Sequence, residues 1–421
     1  MKFTVERDAL AEAVTWVARA LPSRPVIPVL AGLLLHAEDD GLTLSCFDYE
    51  VSARMRVPAD VTEPGTALVP GRLLTEITRS LPGKPVEIAP DGDDLSMACG
   101  EAAFTLVTMS TAEYPELPDL PQLAGTADGE ALAAAIGQVT PAASRDDTLP
   151  MLTAVSLELG TATMTLAATD RYRLAVRDLE WNPAPGASGH EGISLLVPAR
   201  TMADAARMMA ATEPARIFLR PGEDEAGGGG GDAMIGFETR ERRLTTRLLA
   251  GDFIKYRSRF PSEFGCTAEL PASAFAEAIR RVSLVAERGT PVQLSFGPDR
   301  VTVGAATQGQ ARARESVSAD FAGAEPDIAF NPQYLLDGVT AAAGPDAELP
   351  EAARVRLQFT SASKPAVISN SSAEDFRYLV VPQRVSSLSP GSRSPLRARR
   401  QSASAYRALA VRGPQGARRG R

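Results

Sequence analysis

ALVPGRLLTEITRSL (67–81), LLVPARTMADAARMM (195–209) and IAFNPQYLLDGVTAA (328–342) are three diverged copies of one pattern. Each opens as a short apolar strand, meets a proline, and continues with apolar residues at helical spacing. The prolines are Pro70, Pro198 and Pro332, 128 and 134 residues apart. Proline suits the first turn of a helix, where its missing N–H has no intrahelical acceptor to lose. A strand feeding a helix is therefore predicted three times, and the spacing sets the size of the repeating unit.

Working outward, each copy has the same neighbours. Upstream lies an amphipathic helix: Leu10, Ala13, Val14, Val17, Ala18 and Leu21, ended by Pro22; then Leu132, Ala135, Ile136 and Val139; then Phe275, Ala278, Ile279, Val282, Val285 and Ala286. A strand pair follows each helix, at 41–57, 163–181 and 300–317. In the first pair Val51, Ala53, Met55 and Val57 alternate with Arg54 and Arg56, the mark of a half-buried strand. Further strands close each unit, from PVEIAP, ARIFLR and VRLQFT onward. The expected fold is α+β, with three similar domains at 1–121, 122–263 and 264–385, each large enough to hold its own core. Linkers fall near PELPDLPQL (115–123) and PSEFGCTAEL (261–270). The run GEDEAGGGGGD (222–232) reads as a surface hairpin between two strands; without a following GK[ST] it is no phosphate loop.

The chemistry is as informative for what it lacks. Only two histidines occur, His36 and His190, in different units. The three cysteines, Cys46, Cys99 and Cys266, have no metal-ligand spacing and read as buried thiols. No HExxH, GxSxG or P-loop is present, and carboxylate pairs such as Asp146–Asp147 fall in turns. The reading is of a non-enzyme with no metal and no cofactor. No apolar run approaches a membrane span, and the charged N-terminus lacks a signal core, so the expected compartment is the cytoplasm, at the nucleoid. The net charge of −8 conceals an asymmetry: residues 386–421 hold nine arginines and no Lys, Asp or Glu. The remaining 35 basic and 52 acidic residues give the body −17. An acidic body argues against nucleic acid binding unless positive charge is concentrated on one face, as on the inner wall of a ring.

MKFTVERDALAEAV (1–14), SRPVIPVLAGLLL (23–35), ATDRYRLAVR (168–177) and DFRYLVVPQRV (375–385) resemble the beta subunit of bacterial DNA polymerase III, the DNA sliding clamp family. FDYEVSA (47–53) and RDDTLPMLT (145–153) resemble its actinobacterial branch. The likeness runs from residue 1 to about 385. It implies a head-to-tail homodimeric ring of six domains, with helices lining the hole and sheets outside. It implies sequence-independent contacts to the phosphates of double-stranded DNA from Arg24, Arg72, Arg79, Arg145, Arg200 and Arg207. It also implies a dimer contact in which AAFTLVTM (102–109), through Phe104 and Leu106, meets the first helix of the third domain near Leu284.

The same resemblance implies a peptide-binding groove between the second and third domains, used by DNA polymerase and clamp-loader subunits and by repair factors. Its residues here would be Leu152, Thr169, Arg171, Tyr172, Arg173, Leu174, Ile254, Arg259, Phe321, Leu379, Val381, Pro382, Gln383 and Arg384. Leu152, Leu174 and Val381 are expected as apolar floor, and Arg173 and Arg384 as donors at the rim. The chain departs from the family where Phe253-Ile254 replaces Phe-Pro, where Gln383 replaces an apolar residue, and where 36 residues follow VVPQRV. These departures keep a second reading open, a clamp-like paralogue that regulates partners without productive DNA loading. The Ser-, Arg-, Pro- and Gly-rich tail is expected to be disordered and to add salt-sensitive DNA affinity.

Overall fold

The repeats are built alike, but each opens with a strand that the helix-first reading lacked: Lys2–Val5, Gln122–Ala127 and Cys266–Pro271 precede the first helix of the three units. The computed structural model describes residues 1–186, 192–209, 213–222, 232–287, 289–307, 310–324, 326–344 and 352–384. The first unit comprises β1 (Lys2–Val5), α1 (Arg7–Val17), β2 (Gly32–Glu38), β3 (Gly41–Phe47), β4 (Val51–Val57), β5 (Asp60–Glu63), β6 (Gly65–Pro70), α2 (Gly71–Ser80), β7 (Val86–Asp91), β8 (Asp94–Cys99) and β9 (Ala102–Leu106). The second comprises β10 (Gln122–Ala127), α3 (Gly129–Val139), β11 (Ala154–Leu159), β12 (Thr163–Thr169), β13 (Arg173–Glu180), β14 (Asn182–Pro183), β15 (Ser194–Pro198), α4 (Ala199–Ala206), β16 (Ala215–Arg220), β17 (Met234–Glu238) and β18 (Arg242–Arg247). The third comprises β19 (Cys266–Pro271), α5 (Ala272–Ser283), β20 (Val292–Gly297), β21 (Arg300–Thr307), β22 (Ala311–Ser318), β23 (Asp320–Gly323), β24 (Asp327–Phe330), α6 (Pro332–Ala343), β25 (Arg354–Phe359), β26 (Ala366–Asn370) and β27 (Phe376–Val380). The Gly-rich run (in the main), His190 and the Arg-rich tail lie outside the described residues.

Local chemistry accounts for the elements. In α1 the 3.6-residue period puts Leu10, Ala13, Val14 and Val17 on one face, and all four are fully buried. In β4 Ala53, Met55 and Val57 are buried while Arg54 and Arg56 face solvent. Several expectations need correction. The stretches read as linkers are partly strand: β10 begins at Gln122, inside 115–123, and β19 takes Cys266–Pro271, within 261–270 and one residue beyond. The first helix ends at Val17, and Ala18–Ala20 form a 3₁₀ turn before the buried Leu21. The third unit's first helix ends at Ser283, two residues before Val285 and Ala286. The prolines are also not equivalent. Pro70 and Pro198 are the caps of α2 and α4, but the cap of α6 is Asn331, and Pro332 is its first helical residue. The Asn331 side-chain oxygen accepts the N–H groups of Gln333 (2.9 Å) and Tyr334 (3.2 Å), a service no proline can offer.

Among the described residues four sheets carry the fold, and their composition follows one rule. Each unit contributes a set of four strands and a set of five. The four-strand set of the first unit joins the five-strand set of the second in a nine-stranded sheet, β14-β10-β16-β17-β18-β4-β3-β2-β6. The second and third units do the same in β15-β11-β12-β13-β27-β26-β25-β19-β23. Left over are a five-stranded sheet, β5-β1-β7-β8-β9, from the first unit and a four-stranded sheet, β22-β21-β20-β24, from the third. The helices pack in pairs, α1 with α2, α3 with α4 and α5 with α6, and α3 also meets α6 across the second junction. Apolar residues from alternate strand positions face these helices and form the main core. Among the described residues no helix is long and apolar enough to cross a membrane.

Candidate functional site

The second junction is made by β13 and β27, paired antiparallel with Arg173 opposite Val380, Leu174 opposite Leu379 and Val176 opposite Arg377. Strand alternation then sends these side chains to two different surfaces. Ala175, Phe376, Tyr378 and Val380 enter the main core on the helix side. Leu174, Val176 and Leu379, with Ala167 of β12, form a separate apolar cluster on the opposite face. The segment between β18 and β19 supplies the rest of that cluster: Tyr256 is buried in it, and Phe253, Ile254, Phe260 and Val381 pack against it. Two arginines fasten this segment. Arg257 donates to Glu158 at 2.6 Å, and the Arg377 guanidinium lies 5.1 Å above the Phe260 ring.

One end of the cluster is shaped by the tight turn between β12 and β13. Asp170 Oδ1 accepts the N–H groups of Tyr172 and Arg173, each at 3.0 Å, and Arg171 takes a positive φ of 82°. The Thr169 hydroxyl donates to the Arg173 carbonyl at 2.6 Å. Tyr172 is exposed, stacks with Tyr334 at 6.5 Å, and offers its carbonyl to the Val381 N–H at 2.9 Å. The loop at 144–149 is a neighbour of this turn. Hydrogen bonds from the Thr148 hydroxyl and N–H hold the Asp146 carboxyl below the usual carboxylate range, with the Arg171 charge adding to them.

Arg173 is not a rim donor. It sits one residue from Leu174 and therefore points to the other face. There it pairs with Asp170 at 3.0 Å and with Asp337 of α6, and its guanidinium lies 4.3 Å over the Tyr334 ring. Burial works against its charge, but Tyr378, Asp337 and Asp170 outweigh burial and raise its pKa above the ordinary arginine value. Phe321 also departs from expectation. It lies on β23, four strands from β27, and stacks on Phe296 at 5.1 Å in the third unit's core. Leu152 is buried at the end of a short 3₁₀ turn, outside the cluster that holds Leu174. Arg259 is exposed, Pro382 half-buried and Gln383 exposed; the Gln383 N–H donates to the Ala329 carbonyl at 2.8 Å. Arg384 is exposed.

Residues not expected at the site make up much of this surface: Ala167, Val176, Tyr256, Phe260 and Arg377, with Phe253, which the sequence marks only as part of a departure from the family. Val176 was recoverable, since period two from Leu174 reaches it. The apolar beat of FIKYRSRF (253–260) also carries a signal, because a linker with four large apolar residues must cover something.

The first junction uses β4 and β18, with Ala53 opposite Leu244 and Ser52 opposite Thr245. Thus the second strand of each repeated pair, β4 or β13, meets the last strand of the next unit, β18 or β27. The corresponding strands left at sheet ends are β22 and β9. Phe104 is half-buried on β9, and Leu284, just past α5, is 84% exposed. Leu106 is instead fully committed to its own unit's core, and β9 stops there rather than at Met109, which bridges to Leu68.

The arginines expected to meet DNA are all exposed: Arg24, Arg72, Arg79, Arg145, Arg200 and Arg207. Two are already engaged. Arg207 pairs with Asp204 at 2.6 Å, and Arg72 donates to the carbonyls of Pro22 (3.2 Å) and Ser23 (3.0 Å). Among the described residues no group of histidine, cysteine and carboxylate ligands could hold a metal ion, and all three cysteines are free and buried.

Comparison with known proteins gives this geometry its relatives. Residues 1–118 match the N-terminal domain described as DNA polymerase III beta subunit, residues 126–255 its central domain and residues 257–384 its C-terminal domain. The chain is 48% identical to the beta sliding clamp of Streptomyces coelicolor over 92% of its own length and 100% of that protein's. It is 40% identical to the beta sliding clamp homolog GriR of Streptomyces muensis over 91% and 99%. The crystal structure of the sliding clamp of Pseudomonas aeruginosa bound to griselimycin superposes with a TM-score of 0.80, at 26% identity, over 91% of this chain and all of that one.

Proposed function

The chain belongs to the DNA polymerase III beta-subunit family, the DNA sliding clamps, and from that premise we propose that two copies close head to tail around duplex DNA. The observation that supports closure is the four-plus-five rule. Each junction inside the chain joins a set of four strands to a set of five, and one set of each kind is left over at opposite ends. Setting β22 of one copy against β9 of another would complete the sheet in the same way, with equivalent strands. An open strand edge is otherwise a liability for aggregation. Phe104 and Leu284 would then pack across the boundary. A heterologous contact that closes after two chains makes a ring.

Clamping and tethering need no catalytic group, so the protein is read as a non-enzyme acting in the cytoplasm on the nucleoid. Arg24, Arg79, Arg145 and Arg200 are the proposed phosphate contacts, non-specific and therefore compatible with sliding. Polymerase and clamp-loader subunits would dock by short peptides on the outer cluster of the second junction. Leu174, Leu379, Ile254 and Val381 would receive the apolar anchors, with Thr169, Arg171, Tyr172, Arg259, Pro382 and Gln383 around them. The domain limits adopted are 1–121, 122–263 and 264–385.

Light scattering of the full chain tests closure. The wild type should have the mass of two chains. Thr105→Pro, which removes a donor from an edge strand, should give one. A monomeric wild type at micromolar concentration would overturn the proposal.

A further inference from the structure

Residues 22–28, PSRPVIP, form a loop at the N-terminal end of α2. Both roots are fixed. Leu21 is buried so close to Gly71 that a side-chain carbon there would come within 2.5 Å of it. At the other root Val29 and Leu30 join Leu68 in a small apolar cluster. Between them Pro22, Pro25 and Pro28 restrict the backbone. Arg72 ties the near limb by donating to the carbonyls of Pro22 and Ser23. What this stiff loop presents is unusual: Arg24 is exposed, Val26 is 94% exposed and Ile27 is 45% exposed. Pro22 also lines a cavity of about 110 Å³ with Arg200 and Asp204 of α4, so the loop shares its neighbourhood with a second proposed phosphate contact.

We propose that Val26 and Ile27 make an apolar contact with the sugar edges of the duplex, beside the phosphate contact of Arg24. This rests on the reading that the chain encircles DNA. Two exposed β-branched side chains on a preorganised loop lose little entropy on contact and gain by leaving water. The deoxyribose edge is the apolar surface that every nucleotide shares, so contact with it is sequence-independent. It is also independent of counterion release, unlike the contacts of arginine. The loop thus offers one contact that salt weakens and one that it does not.

The experiment is fluorescence anisotropy of a labelled linear duplex against the full chain, over a range of salt concentrations. The variants are Val26→Ser/Ile27→Ser, Val26→Leu/Ile27→Leu and Arg24→Ala. The serine pair should bind about fivefold more weakly, the effect of losing roughly half of one aliphatic side chain's burial. Its slope of log affinity on log salt should be unchanged, and the leucine pair, which keeps the apolar surface, should bind as the wild type does. Arg24→Ala should instead flatten the slope by about 0.9. If Arg24→Ala flattens the slope while the serine pair binds as the wild type does, the inference is wrong and the DNA reading stands. If neither variant alters binding, both are wrong.

Discussion

Replacing Arg173 tests the claim that it holds the second and third units together rather than meeting a partner. Its side chain is 10% exposed, and those of Asp170 and Asp337 are 11% and 20% exposed. Arg173→Met keeps most of the stem but takes the cation from two carboxylates in a largely dry site, leaving Asp170 the N–H groups of its turn and Asp337 the Gln333 amide. Breaking such a buried pair costs about 3–5 kcal/mol, and the partial exposure of Asp337 favours the lower end. Loss of the stacking on Tyr334 adds roughly 0.5 kcal/mol, giving about 3–4 kcal/mol in total. Asp337→Asn should cost only about 1 kcal/mol, because Arg173 retains Asp170 and an amide oxygen in place of the lost acceptor. Adding Asp337→Leu to Arg173→Met should recover part of the loss, since one stranded charge disappears. The assay is urea unfolding of the full chain followed by circular dichroism, at one fixed protein concentration because self-association adds to stability. If Arg173→Met lies within about 0.5 kcal/mol of the parent, or the double variant is less stable than the single one, the buried-network account is refuted.

Leu174→Asp places a charge in the outer cluster opposite Leu379 and should abolish saturable binding of a labelled peptide ending in Leu-Phe; equal titrations for variant and parent would remove the groove from this surface. Gly338→Ala should destabilise the chain by about 1–3 kcal/mol, measured by thermal unfolding, although alanine is the better helix former. The new methyl group would come within 2.5–2.6 Å of the Tyr378 ring and push α6 off its sheet. Cys46 should resist alkylation in the folded protein at pH 8 and react promptly in urea: burial pushes its thiol up to about 12, so almost no thiolate exists at pH 8, and mass spectrometry of the labelled peptide reads the difference.

The repeat was legible because it is written in signals that survive divergence. Strand alternation and helical period persist when individual residues change, so much of the order of elements could be read outward from 67–81, 195–209 and 328–342 without an alignment; the opening strands β1, β10 and β19 were not, being short and, in the last two, overlapping stretches read as linkers. Side-chain direction was less legible. Arg173 and Leu174 are adjacent in one motif, and the resemblance assigned both to one groove. Strand geometry sends them to opposite faces, and that parity could have been read from the alternation of RLAVR. Phe321 failed for another reason. Its strand reaches the sheet by pairing with β19, and no local pattern reports how many strands then separate it from β27.

The one-residue offset of the third repeat shows how structure and charge are reconciled at such a junction. Asn331 takes the cap that proline fills in the other two copies, so α6 begins with a side chain accepting two backbone N–H groups. That start fixes the helix which carries both Tyr334 and Asp337, the two residues that receive Arg173 from the neighbouring unit. The second junction therefore has a charged clasp on its helix side and an apolar cluster on its outer side, made by alternate residues of the same strand pair. At the first junction the outer positions of the paired strands are Ser52 opposite Thr245 and Arg54 opposite Arg243, which offer no comparable apolar floor. An extended peptide with apolar anchors gains by burying them, and of the two junctions the second is the one with an apolar cluster that suits the proposed docking. On the proposed reading, the shared architecture of the junctions serves closure, and the side chains at a few alternating positions decide which of them receives a partner.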